Sequence, residues 1–437
     1  MKRSIVIRAV TILLLMVILS AGLPAGAQAE IETISPAGIS KMRTLNVLFI
    51  GNSYSEDTSR YLYDIVEQTG YRICVGNAWL GGMKIRDHVR NALTDAQVYT
   101  YFENSDGNWN QMNDGDSVLW SLSRVLTNRK WDVILLQPRS IDVGRLKSFY
   151  SRKDESNPCL LEELARFCRE YCPRSHVAYN MTWAHRNDCQ ARGFKKYGSQ
   201  LRMCEAAWSV TMSILNTSWE TKEVAAGASS GAGEGTSSGL KYGGAILSGA
   251  LPQKAPSVEF VVPVGTAIQN ARSSYMGDTL TRDYKHLNYG IGRYIASMTV
   301  AACLGYPVET ISSLDLNDTA SSLHLPLIKA CVMAAVENPF SLSAQTLRKP
   351  VLADMNVTVA EEGSRVNLCW NSVKGATSYQ VSYRGEDSAE STCVTLDPSE
   401  TSYEFTGDSG PVYISVCARG DNYISPTAPY ETSVCLP

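Results

Sequence analysis

The sequence has 437 residues, more than one ordinary domain uses, so we expect two or three domains. Its composition, with 44% hydrophobic and 19% charged residues, is typical of a globular protein, and the formal net charge is only −3. Because no run of basic residues stands out, neither nucleic acid nor an anionic membrane surface is an expected partner.

Residues 1–29 have the pattern of a secretory signal peptide. Basic residues at positions 2, 3 and 8 precede an apolar run from Ala9 to Leu19, and Ala27-Gln28-Ala29 supplies a small-x-small cleavage site. The alternative is a transmembrane anchor, but the apolar run falls short of the ~20 residues that span a bilayer. Since no cysteine lies at the cleavage site and no second long apolar segment follows, we expect a secreted protein, periplasmic or extracellular, without a transmembrane segment after signal removal.

The chain contains twelve cysteines, and in an exported protein this number favours disulfides over free thiols. A structural zinc site would need two pairs of ligands at finger-like spacing. The nearest candidates, Cys168 with Cys172 and His185 with Cys189, are isolated pairs without a matching second half. We therefore expect neither a metal nor any other cofactor.

Residues 45–335 alternate short apolar runs with helical patterns. Five runs are candidate strands, at residues 45–50, 72–78, 132–136, 176–180 and 258–264. Buried runs separated by amphipathic helices indicate a parallel sheet that is covered on both faces. The prediction is a doubly wound, three-layer α/β/α domain with about five strands, over residues 30–345.

One segment of this domain has a different composition. Residues 225–250 are rich in Gly, Ser and Ala, and such a segment cannot bury enough apolar surface to order itself well. We interpret it as a surface insertion, and a lid over the substrate is the alternative.

Residues 351–437 follow a linker at about residues 339–354 and read as a small β-sandwich. Apolar residues alternate with polar ones in several short segments, as in the strands of two packed sheets. Leu368-Cys369-Trp370-Asn371 and Tyr403-Glu404-Phe405 resemble a bacterial fibronectin type III domain. We expect its core to contain Trp370, Tyr379 and Val416.

Ser53 has the setting that a serine nucleophile requires. The apolar run Val47-Leu48-Phe49-Ile50 leads directly into Gly51-Asn52-Ser53-Tyr54, where a helix begins. Gly51 permits a tight turn, and the N-terminus of a helix supplies unpaired N–H groups that favour negative charge. In an open parallel sheet, ligands bind beyond the carboxyl ends of the strands. For this tripeptide alone, an ordinary serine N-cap is the alternative.

The general base can be sought among only five histidines. Three of them lie in predicted helices or strands: His88, His176 and His324. His185 follows the fourth strand but has no orienting acid nearby except Asp188. His286 ends the tetrapeptide Asp283-Tyr284-Lys285-His286, a spacing that lets Asp283 orient the imidazole and stabilise the imidazolium. A surface pair formed by chance is the alternative.

Together these residues resemble the SGNH, or GDSL-type, hydrolase superfamily. Gly51-Asn52-Ser53, the Gly81-Gly82 pair after the second strand and Asp283-x-x-His286 match its first, second and fifth conserved blocks. The local sequence is closer still to a secreted bacterial branch described only as a domain of unknown function, over roughly residues 45–305. The resemblance implies a flavodoxin-like fold and a metal-independent serine esterase with Ser53 as nucleophile, His286 as base and Asp283 as its orienting acid.

The literal GDS signature stands elsewhere, at Gly115-Asp116-Ser117. The residues before it, 108–114, are polar, so no buried strand leads into that turn. Ser117 is more simply explained as a residue at the start of a helix. We therefore prefer Ser53 over Ser117 as the nucleophile.

The sequence departs from the superfamily pattern at two places, and the second of them concerns the oxyanion hole. Asn52 replaces the usual Asp, and the third strand ends at Gln137 without the usual Gly-x-Asn-Asp block. The resemblance assigns oxyanion donors to the backbone N–H groups of Ser53 and of Gly81 or Gly82, with Gly82 preferred. Gln137 is the candidate third donor, either directly or by positioning the loop that donates. Its alternative role is to tie neighbouring loops together.

The resulting hypothesis is a secreted ester hydrolase that removes O-acyl groups, with acetylated glycans as the leading substrates. Trp79, Trp183 and Tyr54 lie near predicted strand ends and are candidates, with Gly81, for substrate contact; core or rim packing is the alternative. Two other functions stay open. One is a non-catalytic glycan-binding or surface-interaction protein on a hydrolase fold, and the other is a lipase or thioesterase.

Overall fold

The computed structural model describes residues 43–112, 118–150, 159–215, 257–314, 322–352, 355–360, 364–373, 376–388, 390–420 and 427–437. Three expectations fall outside these ranges: the signal peptide, the Gly115-Asp116-Ser117 motif and the Gly-rich insertion at residues 225–250. Among the helices within them, none has the length and apolar character needed to cross a membrane.

Within these ranges, a seven-stranded sheet forms the centre of the larger domain, in the order β4-β3-β2-β1-β5-β6-β7. Its strands are Thr44–Gly51 (β1), Arg72–Trp79 (β2), Thr100–Asn104 (β3), Asn110–Met112 (β4), Val133–Leu136 (β5), His176–Asn180 (β6) and Phe260–Val262 (β7). The five predicted strands β1, β2, β5, β6 and β7 all pair in parallel. The sheet as a whole is mixed, because β3 and β4 add two antiparallel strands at the β2 edge.

Strand β3 was not predicted from the sequence, because its residues do not form an apolar run. This strand, Thr-Tyr-Phe-Glu-Asn, carries a glutamate among its aromatic residues. Glu103 is nevertheless buried, because Arg129 pairs with its carboxylate and the Tyr101 hydroxyl donates to it at 2.8 Å. The buried charge of Glu103 is thus paired within the fold. A search for apolar runs cannot predict such a strand.

Helices cover the sheet on both faces. They are Ser53–Ser59 (α1), Leu62–Gln68 (α2), Ile85–Leu93 (α3), Leu122–Asn128 (α4), Leu160–Tyr171 (α5), Arg192–Lys195 (α6), Gln200–Ile214 (α7), Val264–Arg272 (α8), Ile291–Cys303 (α9) and Leu325–Glu337 (α10). Leu48 and Ile50 of β1 pack in one core with residues of α3, α4 and α5. Val47 and Phe49 are equally buried and, because side chains alternate along a strand, face the opposite layer. The layered α/β arrangement follows from this two-sided burial.

The expectation of disulfides is wrong for this structure. All twelve cysteines lie in the described ranges, none is bonded to another, and nine are buried. In the core they act as small apolar side chains. Burial raises the pKa of the Cys74 thiol to about 12, for example, so that this thiol stays protonated. A cysteine count carries no information on which sulfur atoms meet.

The described residues between 352 and 436 form two antiparallel sheets that share one apolar core. The strands are Asn356–Val359 (β8), Arg365–Cys369 (β9), Ser378–Gly385 (β10), Thr392–Leu396 (β11), Ser402–Thr406 (β12), Gly410–Arg419 (β13) and Tyr430–Leu436 (β14). The sheets have the orders β12-β9-β8 and β11-β10-β13-β14. The expected core residues Trp370, Tyr379 and Val416 are all buried within them.

Three buried histidines should make the protein sensitive to mild acid. Burial, as the main cause, lowers the pKa values of His88, His185 and His324 to about 4, whereas a histidine in an unfolded chain has a pKa of about 6.5. Below about pH 6.5 these histidines bind protons in the unfolded chain, whereas in the folded protein they stay neutral until the pH approaches 4. The free energy of unfolding should therefore be highest above about pH 6.5 and should fall as the pH is lowered towards 4. Urea unfolding at several pH values across this range measures the change.

His88→Asn is the control, because it removes one titrating group and keeps a polar atom near the Tyr99 hydroxyl, which lies 2.8 Å from His88 Nδ1. The slope of unfolding free energy against pH should become shallower by up to about 1.4 kcal/mol per pH unit. Equal slopes in the two proteins would show that His88 does not contribute.

Candidate active site

Ser53, His286 and Asp283 form a hydrogen-bonded chain at the carboxyl edge of the sheet. Ser53 Oγ lies 2.9 Å from His286 Nε2, and His286 Nδ1 lies 2.8 Å from Asp283 Oδ2. When Nδ1 carries the proton that Asp283 accepts, Nε2 is free to accept the serine proton. The three residues selected from the sequence are thus brought together in the order that an activated serine requires.

Asn52 connects the turn that carries Ser53 to the neighbouring loop. Its side chain is fully buried. Asn52 Oδ1 accepts a hydrogen bond from the Tyr54 N–H at 3.1 Å and caps α1, while Asn52 Nδ2 donates to the Met83 carbonyl at 3.0 Å. An aspartate could make the first contact but, when ionised, not the second. The departure at residue 52 therefore has a structural reason.

Gly81 and Gly82 form a tight turn beside the nucleophile. The Met83 N–H donates to the Leu80 carbonyl at 3.4 Å, and Gly82 has a φ of +70°, which favours glycine. Both glycines are exposed, and within the described part of the chain neither N–H has a hydrogen-bond partner. The Ser53 N–H, first in α1, is equally unpaired there. These backbone groups are available to an incoming oxyanion.

Asp283 is held by its own loop. Its Oδ1 accepts the N–H groups of Lys285 and His286, each at 2.7 Å. Burial by itself would raise the pKa of Asp283, but the hydrogen bonds from the His286 backbone, the His286 ring and the Lys285 backbone outweigh it, so that the pKa is lowered. The carboxylate therefore stays ionised and holds the imidazole although 41% of its side chain is exposed.

A second loop braces the segment that carries Asp283 and His286. Trp183 Nε1 donates to the Lys285 carbonyl at 2.7 Å, and the Arg186 N–H donates to the Tyr284 carbonyl at 2.9 Å. Both donors follow β6, so two connections at the same edge of the sheet support each other. The position of His286 thus depends on β6 as well as on its own loop.

Asp57 joins the nucleophile helix to the histidine loop. Its side chain is completely buried, and its Oδ2 accepts the Leu287 N–H at 2.9 Å. Its Oδ1 accepts Arg282 Nη1 at 2.9 Å and Arg293 Nε at 2.8 Å. No role was predicted for Asp57 from the sequence. Two signals were present: an acid one turn after Ser53, and an arginine inside the otherwise apolar helix α9.

Gln137 lies beneath the nucleophile turn and not in the cleft. Its side chain is fully buried, and its Oε1 accepts Asn180 Nδ2 at 2.6 Å. A Cβ added to Gly51 would come within 3.2 Å of Gln137 Cβ. The Gln137 Nε2 is sealed from solvent and has no partner among the described residues, so a substrate oxygen cannot reach it in this arrangement. Direct donation is therefore not supported, and a positioning role under Gly51 stays a prediction.

Of the three aromatic candidates for substrate contact, two are core residues. Trp183 is 0% and Tyr54 4% exposed, with their rings 4.9 Å apart. Neither presents a face to a sugar ring, so that expectation is wrong for both. A position near a strand end defines the edge of the sheet, but packing decides the direction of the side chain. Trp79 is only partly buried, and its ring packs against Gly81.

His185 takes part in a second, buried contact behind the site. His185 Nε2 lies 2.7 Å from Ser140 Oγ, and His185 Nδ1 lies 3.5 Å from Cys189 Sγ. Asp188, the acid considered for it, pairs with a neighbouring arginine instead. Since the imidazole is 3% exposed, it does not meet substrate. This placement agrees with the choice of His286 over His185 as base.

Comparison with known proteins identifies relatives of the larger domain. A family model described as a domain of unknown function, DUF4886, matches residues 46–232 and 241–314. The crystal structure of a DUF4886 family protein from Bacteroides uniformis ATCC 8492 matches with a TM-score of 0.53 and 26% sequence identity, covering 69% of this chain and 98% of that one. No curated protein matches the chain.

Two further solved structures match a smaller share of the chain. One is the chicken CNTN1 FN1-FN3 domains, with a TM-score of 0.17 and 22% identity over 21% of this chain and 34% of that one. The other is an FN3 domain of human collagen XX, with a TM-score of 0.18 and 11% identity over 22% of this chain and 99% of that one. Neither score is high enough to carry an argument.

The structure predicts that Asp57→Asn displaces His286. An asparagine retains the size of the side chain but loses the charge that two arginines share, and breaking such a buried pair typically costs about 3–5 kcal/mol. We expect kcat for a small ester to fall by at least about tenfold per folded molecule, with KM less affected, because the serine–histidine distance changes. Steady-state kinetics on protein corrected for its folded fraction measures this.

Glu103→Gln is the matched control, since Glu103 is a second buried carboxylate with an arginine partner and lies on β3. It should lower the melting temperature but leave turnover per folded molecule unchanged. Equal losses of turnover in the Asp57→Asn and Glu103→Gln variants would contradict the positioning role of Asp57.

Proposed function

This chain belongs to the DUF4886 family, a domain of unknown function, and from its site we propose that it is a serine ester hydrolase of the SGNH type that acts on O-acyl groups, acetyl foremost. The observation that carries the proposal is the Ser53–His286–Asp283 chain, with contacts of 2.9 and 2.8 Å, beside unpaired backbone N–H groups. This combination supplies the nucleophile, the base and the oxyanion donors that acyl transfer needs.

The first half of the reaction transfers the acyl group to Ser53. As Oγ attacks the ester carbon, its proton passes to His286 Nε2, and the carbonyl oxygen becomes an oxyanion held by the N–H groups of Ser53 and Gly82. Asp283 stabilises the imidazolium. The bond between the acyl carbon and the alcohol oxygen then breaks, and His286 returns the proton to that oxygen, which releases the alcohol.

The second half hydrolyses the acyl-serine. Water gives a proton to His286 Nε2 and attacks the acyl carbon, and the bond to Oγ breaks as the proton returns to Ser53. The products are a carboxylic acid and the free enzyme, so atoms and charge balance without a cofactor. Loss of a single oxyanion donor costs ~2.7–4 kcal/mol in comparable hydrolases, so the turn at Gly82 is essential to this scheme.

We also propose that the protein is exported and that its C-terminal sheets are a fibronectin type III-like module. The pattern of residues 1–29 supports export. The distribution of three and four strands over two sheets around one core supports the module. An exported esterase with an appended β-module would act on material outside the cytoplasm, which agrees with acylated glycans as substrates.

A fluorophosphonate probe should label Ser53, and the labelled peptide should be identified by mass spectrometry. The probe reacts only with a serine whose proton a base removes, so Ser53→Ala and His286→Ala should both abolish labelling and turnover of 4-nitrophenyl acetate. Because the residues act as a unit, the double variant should be little worse than either single variant.

Ser117→Ala is the control and should be labelled like the unaltered protein. Labelling at Ser117, or no labelling with full esterase activity, would contradict the assignment. Folded protein with neither labelling nor turnover would favour the non-catalytic binding protein.

A chain that ends near Leu347 should retain its activity on small esters. The segment up to Gln345 is bonded to α8, through Ser343 N–H to Asn270 Oδ1 at 2.9 Å and Gln345 N–H to Ser273 Oγ at 3.1 Å. The cut therefore leaves these contacts intact and removes only the two C-terminal sheets. We expect kcat/KM for 4-nitrophenyl acetate within about twofold of the full chain. A folded but inactive truncation would show that the sheets contribute to the site.

A further inference from the structure

A cavity of about 330 Å³ lies between the end of α1 and strands β2 and β3. Its lining combines three aromatic rings with four polar side chains: Trp79, Phe102, Trp109, Glu56, Ser59, Arg60 and Asn77. None of the seven takes part in the acyl-transfer steps at Ser53. Phe102 lies on β3, and Trp109 directly precedes β4, in the antiparallel extension of the sheet.

Two residues of the lining connect the cavity to the elements that carry Ser53 and the glycine turn. Glu56 follows Ser53 by one turn of α1, a rise of about 4.5 Å. The Trp79 ring lies 3.3 Å from the position that a Cβ would take on Gly81. The turn that carries the oxyanion donors therefore rests on a wall of the cavity.

The side chains of the lining are held in place yet still offer polar groups. Trp109 Nε1 donates to the Arg60 carbonyl at 3.0 Å, which fixes the indole at the end of α1. The Glu56 side chain is 49% exposed, and its contact with Arg293 is long, at 3.5 Å. Arg60 is exposed and forms no ion pair with any described side chain. The charged groups thus keep hydrogen-bonding capacity for a ligand.

This mixture of surfaces matches one class of ligand. A sugar ring has apolar C–H faces that pack on aromatic rings, and hydroxyl groups that both donate to carboxylates and accept from guanidinium and amide groups. A fatty acyl chain would instead desolvate Glu56 and Arg60 without pairing them, which is unfavourable. The volume is at the lower end of small-ligand cavities, about 300–1,000 Å³, and suits one ring.

We propose that this cavity binds the sugar ring that carries the ester, so that the substrate is an O-acylated saccharide. The inference rests on the proposed esterase function. In the acylation step the sugar is the leaving group: the bond between the acyl carbon and the sugar oxygen breaks, and His286 delivers the proton to that oxygen. The acyl group itself remains on Ser53 until water releases it.

The test compares three substrates with the full chain: a mono-O-acetylated methyl glycoside, 4-nitrophenyl acetate and 4-nitrophenyl octanoate. Trp109→Ala should lower the ratio of kcat/KM for the acetylated sugar to that for 4-nitrophenyl acetate by about tenfold, the loss expected for one aromatic contact. Phe102→Leu is a milder second variant, should the first fail to fold. Tyr171→Ala, an exposed aromatic on α5, is the matched control and should leave the ratio unchanged.

The outcomes separate this inference from the proposed function. A lowered ratio in the cavity variants alone supports the sugar subsite. An unchanged ratio in a protein that still labels at Ser53 overturns the subsite and leaves the esterase intact. A selective loss of octanoate turnover overturns it in favour of an acyl-chain site. If the unaltered protein hydrolyses none of the three esters, the proposed function itself fails and the subsite with it.

Discussion

Asp57 accepts hydrogen bonds from both arginines and from the backbone of the histidine loop while it sits on the helix that begins with Ser53. These contacts connect residues more than 220 positions apart in the chain. A carboxylate that is completely buried is tolerated only because its charge is matched and its oxygens are satisfied. The contacts of Asp57 fix the position of α1 relative to the histidine loop. The distance of 2.9 Å between Ser53 Oγ and His286 Nε2 depends on this relative position.

In the proposed site the oxyanion donors come from the backbone, and side chains hold that backbone in place. Asn52 joins the nucleophile turn to the glycine turn, and Gln137 packs beneath Gly51. Neither side chain is available to substrate, since both are fully buried. Backbone N–H groups fixed in this way need little reorganisation when negative charge develops, which is the condition for strong electrostatic stabilisation. The altered third block of the sequence is thus compatible with an intact site.

The antiparallel strands β3 and β4 extend the parallel sheet past β2. Phe102 of β3 and Trp109, which directly precedes β4, are walls of the cavity beside α1. Polar residues in this extension are satisfied by partners from other elements, as Glu103 is by Arg129. The proposed catalytic residues therefore lie beyond the ends of the parallel strands, and the proposed sugar subsite lies where α1 and β2 meet the added edge.

The five parallel strands, three core residues of the C-terminal sheets and the choice of Ser53, Asp283 and His286 as a candidate triad could all be predicted from the sequence. Each of these predictions rests on a local pattern, either an apolar run or a short spacing within one loop. Such a pattern can be recognised without knowing which distant residues it contacts in the fold. The contacts of Asp57, the sealed position of Gln137, the burial of Tyr54 and Trp183 and the free state of the cysteines became visible only in the three-dimensional structure. All of these depend on contacts between distant elements, since the direction of a side chain and the identity of its partner are set by packing and not by its neighbours in the chain.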